Sequence, residues 1–113
     1  MEITTREQDG VTIIDISGRL DASNSKTAEK TILASEGEGS KIILNMEKLD
    51  YISSAGLRVL LLSAKKARAG HGKFCIVSLS QTVMDVFEIS GFSAIFEIAD
   101  SVEDGIKMVL LDS

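Results

Sequence analysis

Residues 41–62 read KIILNMEKLDYISSAGLRVLLL, and this stretch decides the fold. It begins with a nearly continuous apolar run at Lys41–Met46, which is typical of a strand buried on both faces of a parallel sheet. A short loop is predicted at Glu47–Ser53, and apolar residues then recur at helical spacing from Leu57 onward. The stretch therefore predicts a strand, a loop and a helix, which together form the repeating unit of an α/β protein.

The same alternation of strand and helix continues on both sides of this stretch. Strands are predicted at residues 2–8, 11–17, 41–46, 73–79 and 95–98. Helices are predicted at residues 25–36, 54–69 and 81–90, and from residue 101 onward. Asp9-Gly10 predicts a hairpin turn, and Gly18 is expected to end the second strand. Ile89 and Leu110 are expected to lie on the apolar faces of their helices.

The predicted order is β-β-α-β-α-β-α-β-α. Strands that alternate with helices imply right-handed crossovers, so most of the sheet should be parallel. The opening hairpin adds an antiparallel edge. The fold class is therefore α/β, with a mixed, mostly parallel central sheet of about five strands and about four helices. A length of 113 residues suits a single domain over 1–113.

Charge and composition exclude several classes of function. The net charge of −5 disfavours direct binding to nucleic acid and to anionic membrane surfaces. The few aromatic residues, four Phe and one Tyr, further disfavour stacking on single-stranded bases. With one cysteine, Cys75, and one histidine, His71, the chain can form neither an internal disulfide nor a typical zinc site.

The location expected from the sequence is the cytoplasm. The lone cysteine, read as a buried thiol, favours a reducing compartment. The chain opens with MEITTREQD, which lacks the apolar region of a signal peptide. Its longest apolar runs, such as Val59–Leu62, are far shorter than the roughly 20 residues that span a bilayer.

The segment Leu49–Leu57 is the best candidate for a functional site. It lies after a central strand and opens a helix, at the sheet edge where α/β proteins usually build their sites. Ser54 stands at the helix start, where unpaired backbone N–H groups and the helix dipole favour a negative group such as a phosphate. Gly56 leaves room for a close backbone approach. On spacing alone, a simpler role as the helix N-cap is favoured for Ser53 or Ser54.

Asp50–Leu57, which reads DYISSAGL, resembles the signature of STAS domains, in particular the bacterial anti-sigma factor antagonists. Three further segments are similar to family motifs in the same order: Gly18–Asp21, Lys41–Leu49 and Ser90–Phe92 with Ile95-Phe96. The resemblance covers the whole chain and implies the STAS fold.

The resemblance also implies roles for individual residues. The family's phosphorylated serine falls on Ser54, with Ser53 as the alternative because Ser53 stands where the family often has Asp. The implied partner-binding residues are Asp21, Ser53, Ala55, Gly56 and Arg58. Asp21 has an equally weighted alternative as a helix cap or turn residue, and Arg58 has one as a solvated charge.

The function that the resemblance implies is partner switching. The unphosphorylated protein would bind an anti-sigma factor with serine kinase activity and release a sigma factor. Phosphorylation of Ser54 would end that binding, and a serine phosphatase would restore it. The alternative is a non-switched STAS scaffold subunit, for example in a lipid-transport assembly. The sequence leaves the oligomeric state open, with a monomer as one expectation for the free domain.

No enzymatic activity, catalytic residue, cofactor or metal is expected. A serine hydrolase needs a base beside its nucleophile. His71 lies in a Gly-His-Gly turn at the far end of the helix that Ser54 opens. The chain also lacks a phosphate-binding glycine loop, so it should be a kinase substrate and not a kinase.

Overall fold

A computed structural model describes residues 1–111 and places a five-stranded mixed sheet at the centre of the chain. The strands are β1 (Glu2–Gln8), β2 (Val11–Leu20), β3 (Lys41–Ile52), β4 (Lys73–Val77) and β5 (Glu97–Ala99). The helices are α1 (Ser25–Ala34), α2 (Ser54–Ala69), α3 (Gln81–Ile89) and α4 (Val102–Leu111), with a 3-10 turn at Phe92–Ala94. The predicted fold class and element order are confirmed.

The strands lie in the sheet in their sequence order. β1 pairs antiparallel with β2, and β2 through β5 are parallel neighbours. Asp9 and Gly10, which form the turn between β1 and β2, have φ values of 55° and 78°. Positive φ at both central residues is the geometry of a tight hairpin turn, as Asp9-Gly10 predicts.

Helices cover both faces of the sheet. Buried residues of α1, α2 and α3 share a core with one face, where Ile32, Leu60 and Phe87 are fully buried. Ile106 and Val109 of α4 pack on the opposite face. This coverage explains why the first half of β3, residues 41–46, and β4 are apolar almost without alternation.

Two predicted strand ends are wrong, and the correction matters for the site. β2 continues through Gly18 to Leu20, and the predicted loop at Glu47–Ser53 is instead the second half of β3 up to Ile52. Gly18 has φ 88°, a conformation that glycine adopts freely, and the register shifts on either side of it. Buried Leu20 and Ile52 hold the two extended strands together.

Smaller corrections concern element ends and helix faces. α1 ends at Ala34, β4 at Val77 and α3 at Ile89, while β5 runs over Glu97–Ala99 because a 3-10 turn precedes it. The buried side of α3 carries Val83 and Phe87. Ile89 lies outside that side and is 87% exposed. Leu110 is 42% exposed, although the neighbouring Val109 is buried. An α-helix rotates about 100° per residue, so adjacent residues diverge in this way.

Two further findings bear on the sequence predictions. Cys75 is fully buried in β4, as its apolar surroundings predict, and burial raises the pKa of its thiol to about 11. Within residues 1–111, no helix has the length and apolar character needed to cross a membrane.

Candidate functional site

The candidate site lies where β2 and β3 end side by side. Leu20 and Ile52 are register partners, and the residues that follow them are Asp21 and Ser53. The backbone N–H of Ser53 donates a hydrogen bond of 2.9 Å to the carbonyl oxygen of Leu20. The sheet edge therefore brings together two predicted site residues that lie 32 positions apart in the sequence.

Ser53, and not Ser54, is the N-cap of α2. Its Oγ accepts a hydrogen bond of 3.3 Å from the Gly56 N–H, and its carbonyl oxygen accepts one of 2.9 Å from Leu57. Ser54 is the first helical residue and its side chain is exposed. The N–H groups of Ser54 and Ala55 have no acceptor within the helix, so they face the space in front of it.

Gly56 allows the helix to start this close to the sheet. A Cβ at this position would lie 2.8 Å from Cγ1 of Ile52 and 2.9 Å from Cγ of Leu20. Both distances are shorter than side chains tolerate, and the contacted atoms belong to buried residues. Gly56 is itself buried, so it sets the position of the residues before it.

Asp21 organises the turn between β2 and α1. Its Oδ1 accepts hydrogen bonds from the Ser23 hydroxyl at 2.6 Å and from the Ser23 N–H at 3.0 Å. These donors hold the pKa of Asp21 below its ordinary value, so the carboxylate remains charged near neutral pH. The N-cap of α1 is Asn24, whose side chain bonds the Asp21 N–H and the Arg19 carbonyl instead of capping the helix. The structure therefore shows Asp21 in the role of a turn residue, which the sequence analysis gave as the alternative to partner binding.

The extended strands add a pair of residues that sequence reasoning did not single out. Arg19 and Tyr51 are register partners on β2 and β3, and the guanidinium carbon of Arg19 lies 4.1 Å from the centroid of the Tyr51 ring. Tyr51 is 38% exposed. Exposed Arg and Tyr side chains are common anchors of protein interfaces. Only the register of β2 against β3 could have revealed this pair.

Arg58 and His71 lie at opposite ends of α2. Arg58 is exposed one turn after Ser54, on the same helix. His71 lies beyond the other end of α2, where its Nδ1 is 3.1 Å from Oε1 of Glu38. Ser54 and His71 are thus held apart by the length of the helix. Within residues 1–111, no group of three or more His, Cys, Asp or Glu side chains could hold a metal ion.

Comparison with known proteins agrees with these motifs. Residues 2–105 match the family model described as STAS domain. BtrV of Bordetella bronchiseptica, which carries the name of an anti-sigma factor antagonist, is 40% identical over 104 residues, covering 91% of this chain and 90% of BtrV.

Solved structures agree on the fold. A Thermotoga maritima protein described as an anti-sigma factor antagonist superposes with a TM-score of 0.87 at 23% identity, over 96% of this chain and 94% of that one. The phosphorylated form of the Bacillus cell fate determinant SpoIIAA superposes with a TM-score of 0.71 at 23% identity, over 96% and 99% of the two chains. The resemblance of the sequence motifs is confirmed, and the chain belongs to the STAS domain family.

Proposed function

We propose that the chain is an anti-sigma factor antagonist that acts through partner switching. In this proposal the unphosphorylated form binds an anti-sigma factor with serine kinase activity and thereby frees a sigma factor. Phosphorylation of Ser54 ends the binding, and a serine phosphatase reverses it. The observation that carries the proposal is the exposed Ser54 at the start of α2, beside the paired ends of β2 and β3. The name of the 40% identical relative supports the same function.

The surroundings of the two serines favour Ser54 over Ser53 as the phosphate acceptor. A kinase must bring the hydroxyl group into its own active site, so the acceptor side chain has to be accessible. Ser54 is exposed, and its hydroxyl makes no hydrogen bond within residues 1–111. Ser53 is half-buried and its hydroxyl caps the helix. Modifying Ser53 would therefore require the first turn of α2 to open.

A phosphate on Ser54 would suit the free protein but not a protein interface. The unpaired N–H groups and the positive end of the α2 dipole favour a negative group there. Arg58 lies four residues later, at the spacing of a helical ion pair. Phosphorylation adds about −1.5 to −2 charges, however, at the sheet edge that also carries the ionised Asp21. A partner that docks on this surface would have to bury that charge, so binding is lost while the fold survives.

The proposed partner surface combines the predicted residues with the end of the sheet. Asp21, Ser53, Ala55 and Arg58 contribute to it directly, and Gly56 positions the first turn of α2. The partners are the kinase-type anti-sigma factor and the phosphatase, with no direct contact to nucleic acid. We further propose that residues 1–113 act as one STAS domain in the cytoplasm, with no catalytic activity of their own.

A binding experiment distinguishes this function from that of a non-switched scaffold subunit. Each candidate kinase-type anti-sigma factor of the source organism would be mixed with its sigma factor, and sigma release would be measured as purified protein is added. Ser54→Ala should release sigma as the unmodified protein does. Ser54→Glu should be at least about 100-fold weaker, a difference of about 2.7 kcal/mol in binding free energy. Equal activity of the two variants would contradict the proposed switch.

A further inference from the structure

A groove lies at the end of α2 that is farthest from Ser54. It has a volume of about 690 Å³ and opens between the last turns of α2, the start of β4, the segment before β5 and α4. Cavities of this size are typical of small-molecule sites. Arg68 lies fourteen positions after Ser54 in the sequence, which corresponds to about 21 Å along α2. The groove is therefore a separate feature from the candidate switch.

The floor and mouth of the groove are apolar. Phe74 and Phe96 form part of its lining, are almost fully buried and have ring centroids 6.5 Å apart. At the mouth, Ile95 is 44% exposed and Met108 is 37% exposed. These exposed apolar side chains border a groove that already has a buried aromatic floor. An apolar chain lying in the groove would cover them.

One end of the groove is cationic, in contrast to the protein as a whole. Arg68 lines this end, and its guanidinium group makes no hydrogen bond or ion pair within residues 1–111. Lys73 and His71 line the same end, but neither is free: Lys73 has an interaction of its own and His71 is paired with Glu38. Glu97 lines the side of the groove formed by β5. A free guanidinium next to an apolar trough is complementary to a ligand with a carboxylate head and an apolar tail.

We propose that this groove binds a medium-chain aliphatic carboxylate. The carboxylate pairs with the Arg68 guanidinium, and the alkyl tail lies over Phe74 and Phe96 beneath Ile95 and Met108. Each methylene group that leaves water contributes about 0.8 kcal/mol, so the tail supplies much of the affinity. The site goes beyond the proposed partner switch, since it shares no residue with the Ser54 surface.

The test is a titration of the isotope-labelled, unphosphorylated protein with decanoate, kept below the concentration at which it forms micelles and followed by amide chemical shifts. We expect saturable shifts centred on the groove residues Arg68, Phe74, Phe96 and Met108. Acetate has the head without the tail, and decyltrimethylammonium has the same tail with a cationic head. Both should bind at least about tenfold more weakly, because each lacks one of the two complementary features.

Two variants and a matched control make the result specific. Arg68→Glu should weaken decanoate binding at least about tenfold, and Ile95→Glu, which places a carboxylate at the exposed mouth, should do the same. Lys65→Glu makes the same charge change on an exposed residue of α2 outside the groove lining, and it should leave binding intact. Non-saturable shifts, shifts centred on the exposed Ile89 and Leu111, or equal binding of the cationic analogue would overturn the proposal. None of these results depends on the Ser54 switch.

Discussion

The 2.9 Å hydrogen bond from the Ser53 N–H to the Leu20 carbonyl oxygen joins the ends of two parallel strands at the start of a helix. It fixes the α2 N-terminus against the turn that contains Asp21. Because Ser53 is also the cap of α2, the next residue, Ser54, is presented on the outside of the first turn. Under the proposed function, a phosphate on Ser54 would therefore leave the packing beneath it undisturbed.

Replacing Gly56 with alanine should destabilise the protein by about 1–3 kcal/mol. The new methyl group would lie within 3 Å of Ile52 and Leu20, and neither side chain has room to move. Urea denaturation measures the loss. Gly37→Ala is the matched control, because a Cβ there meets nothing within 4 Å. An alanine at position 56 that left the unfolding midpoint unchanged would refute the close packing at the start of α2.

The two serines should differ in their contribution to stability. Ser53→Ala removes the cap of α2 and should cost about 1 kcal/mol in unfolding free energy. Ser54→Ala removes an exposed hydroxyl without a hydrogen bond and should change that free energy by less than about 0.5 kcal/mol. Thermal denaturation of the two variants provides the comparison. If Ser54→Ala were the more destabilising variant, the assignment of the cap would be wrong.

Asp21 can be tested for a binding role that is separate from its role in the turn. Asp21→Asn keeps an acceptor for the Ser23 donors and should change stability by less than about 1 kcal/mol, whereas Asp21→Ala loses both hydrogen bonds and should be less stable. We expect Asp21→Asn to weaken anti-sigma factor binding about tenfold through loss of charge. Calorimetric titration of each variant measures this. Unchanged affinity of Asp21→Asn would leave Asp21 with the turn role alone.

Glu36 predicts a pH dependence of stability. Both of its carboxylate oxygens are buried and have no hydrogen-bond partner within residues 1–111. Burial raises the pKa of Glu36 from its ordinary value of 4.5 to about 7, although nearby Lys66 opposes the shift. At a pH between these two values, Glu36 keeps its proton in the folded protein and loses it in the unfolded chain. The contribution of Glu36 to stability should therefore fall as pH rises from about 4.5 to 7 and level off above.

Urea denaturation from about pH 5 to about pH 8 tests the Glu36 prediction. The glutamine of Glu36→Gln cannot ionise, so the variant should lose the part of the fall in unfolding free energy with pH that Glu36 causes. Its stability relative to the unmodified protein should therefore increase as the pH rises. Glu88→Gln, at an exposed position of α3, is the matched control and should retain the slope. Identical pH profiles for Glu36→Gln and the unmodified protein would contradict the assignment.

Much of the fold could be predicted from local patterns. The apolar run at Lys41–Met46 and the Asp9-Gly10 turn each carry their structural meaning within a few residues. The second half of β3 could not be predicted, because its polar residues resemble a loop when its partner strand is unknown. Pairing with β2 over residues 18–20 is what keeps this segment extended.

The candidate site shows the same division between local and long-range information. The position of Ser54 at a helix start follows from the sequence around it. The choice between Ser53 and Ser54 as cap requires the hydrogen bond to the Gly56 N–H, which only the folded structure shows. The contact between Arg19 and Tyr51 depends on the register of strands distant in sequence.

Mapping the phosphorylation site tests the central claim most directly. The purified protein would be incubated with ATP and each candidate kinase-type anti-sigma factor, and then examined by intact mass and fragmentation. We predict a single added phosphate on Ser54, present in Ser53→Ala and absent in Ser54→Ala. A phosphate on Ser53, or a stable complex with an active kinase that leaves Ser54 unmodified, would contradict the account.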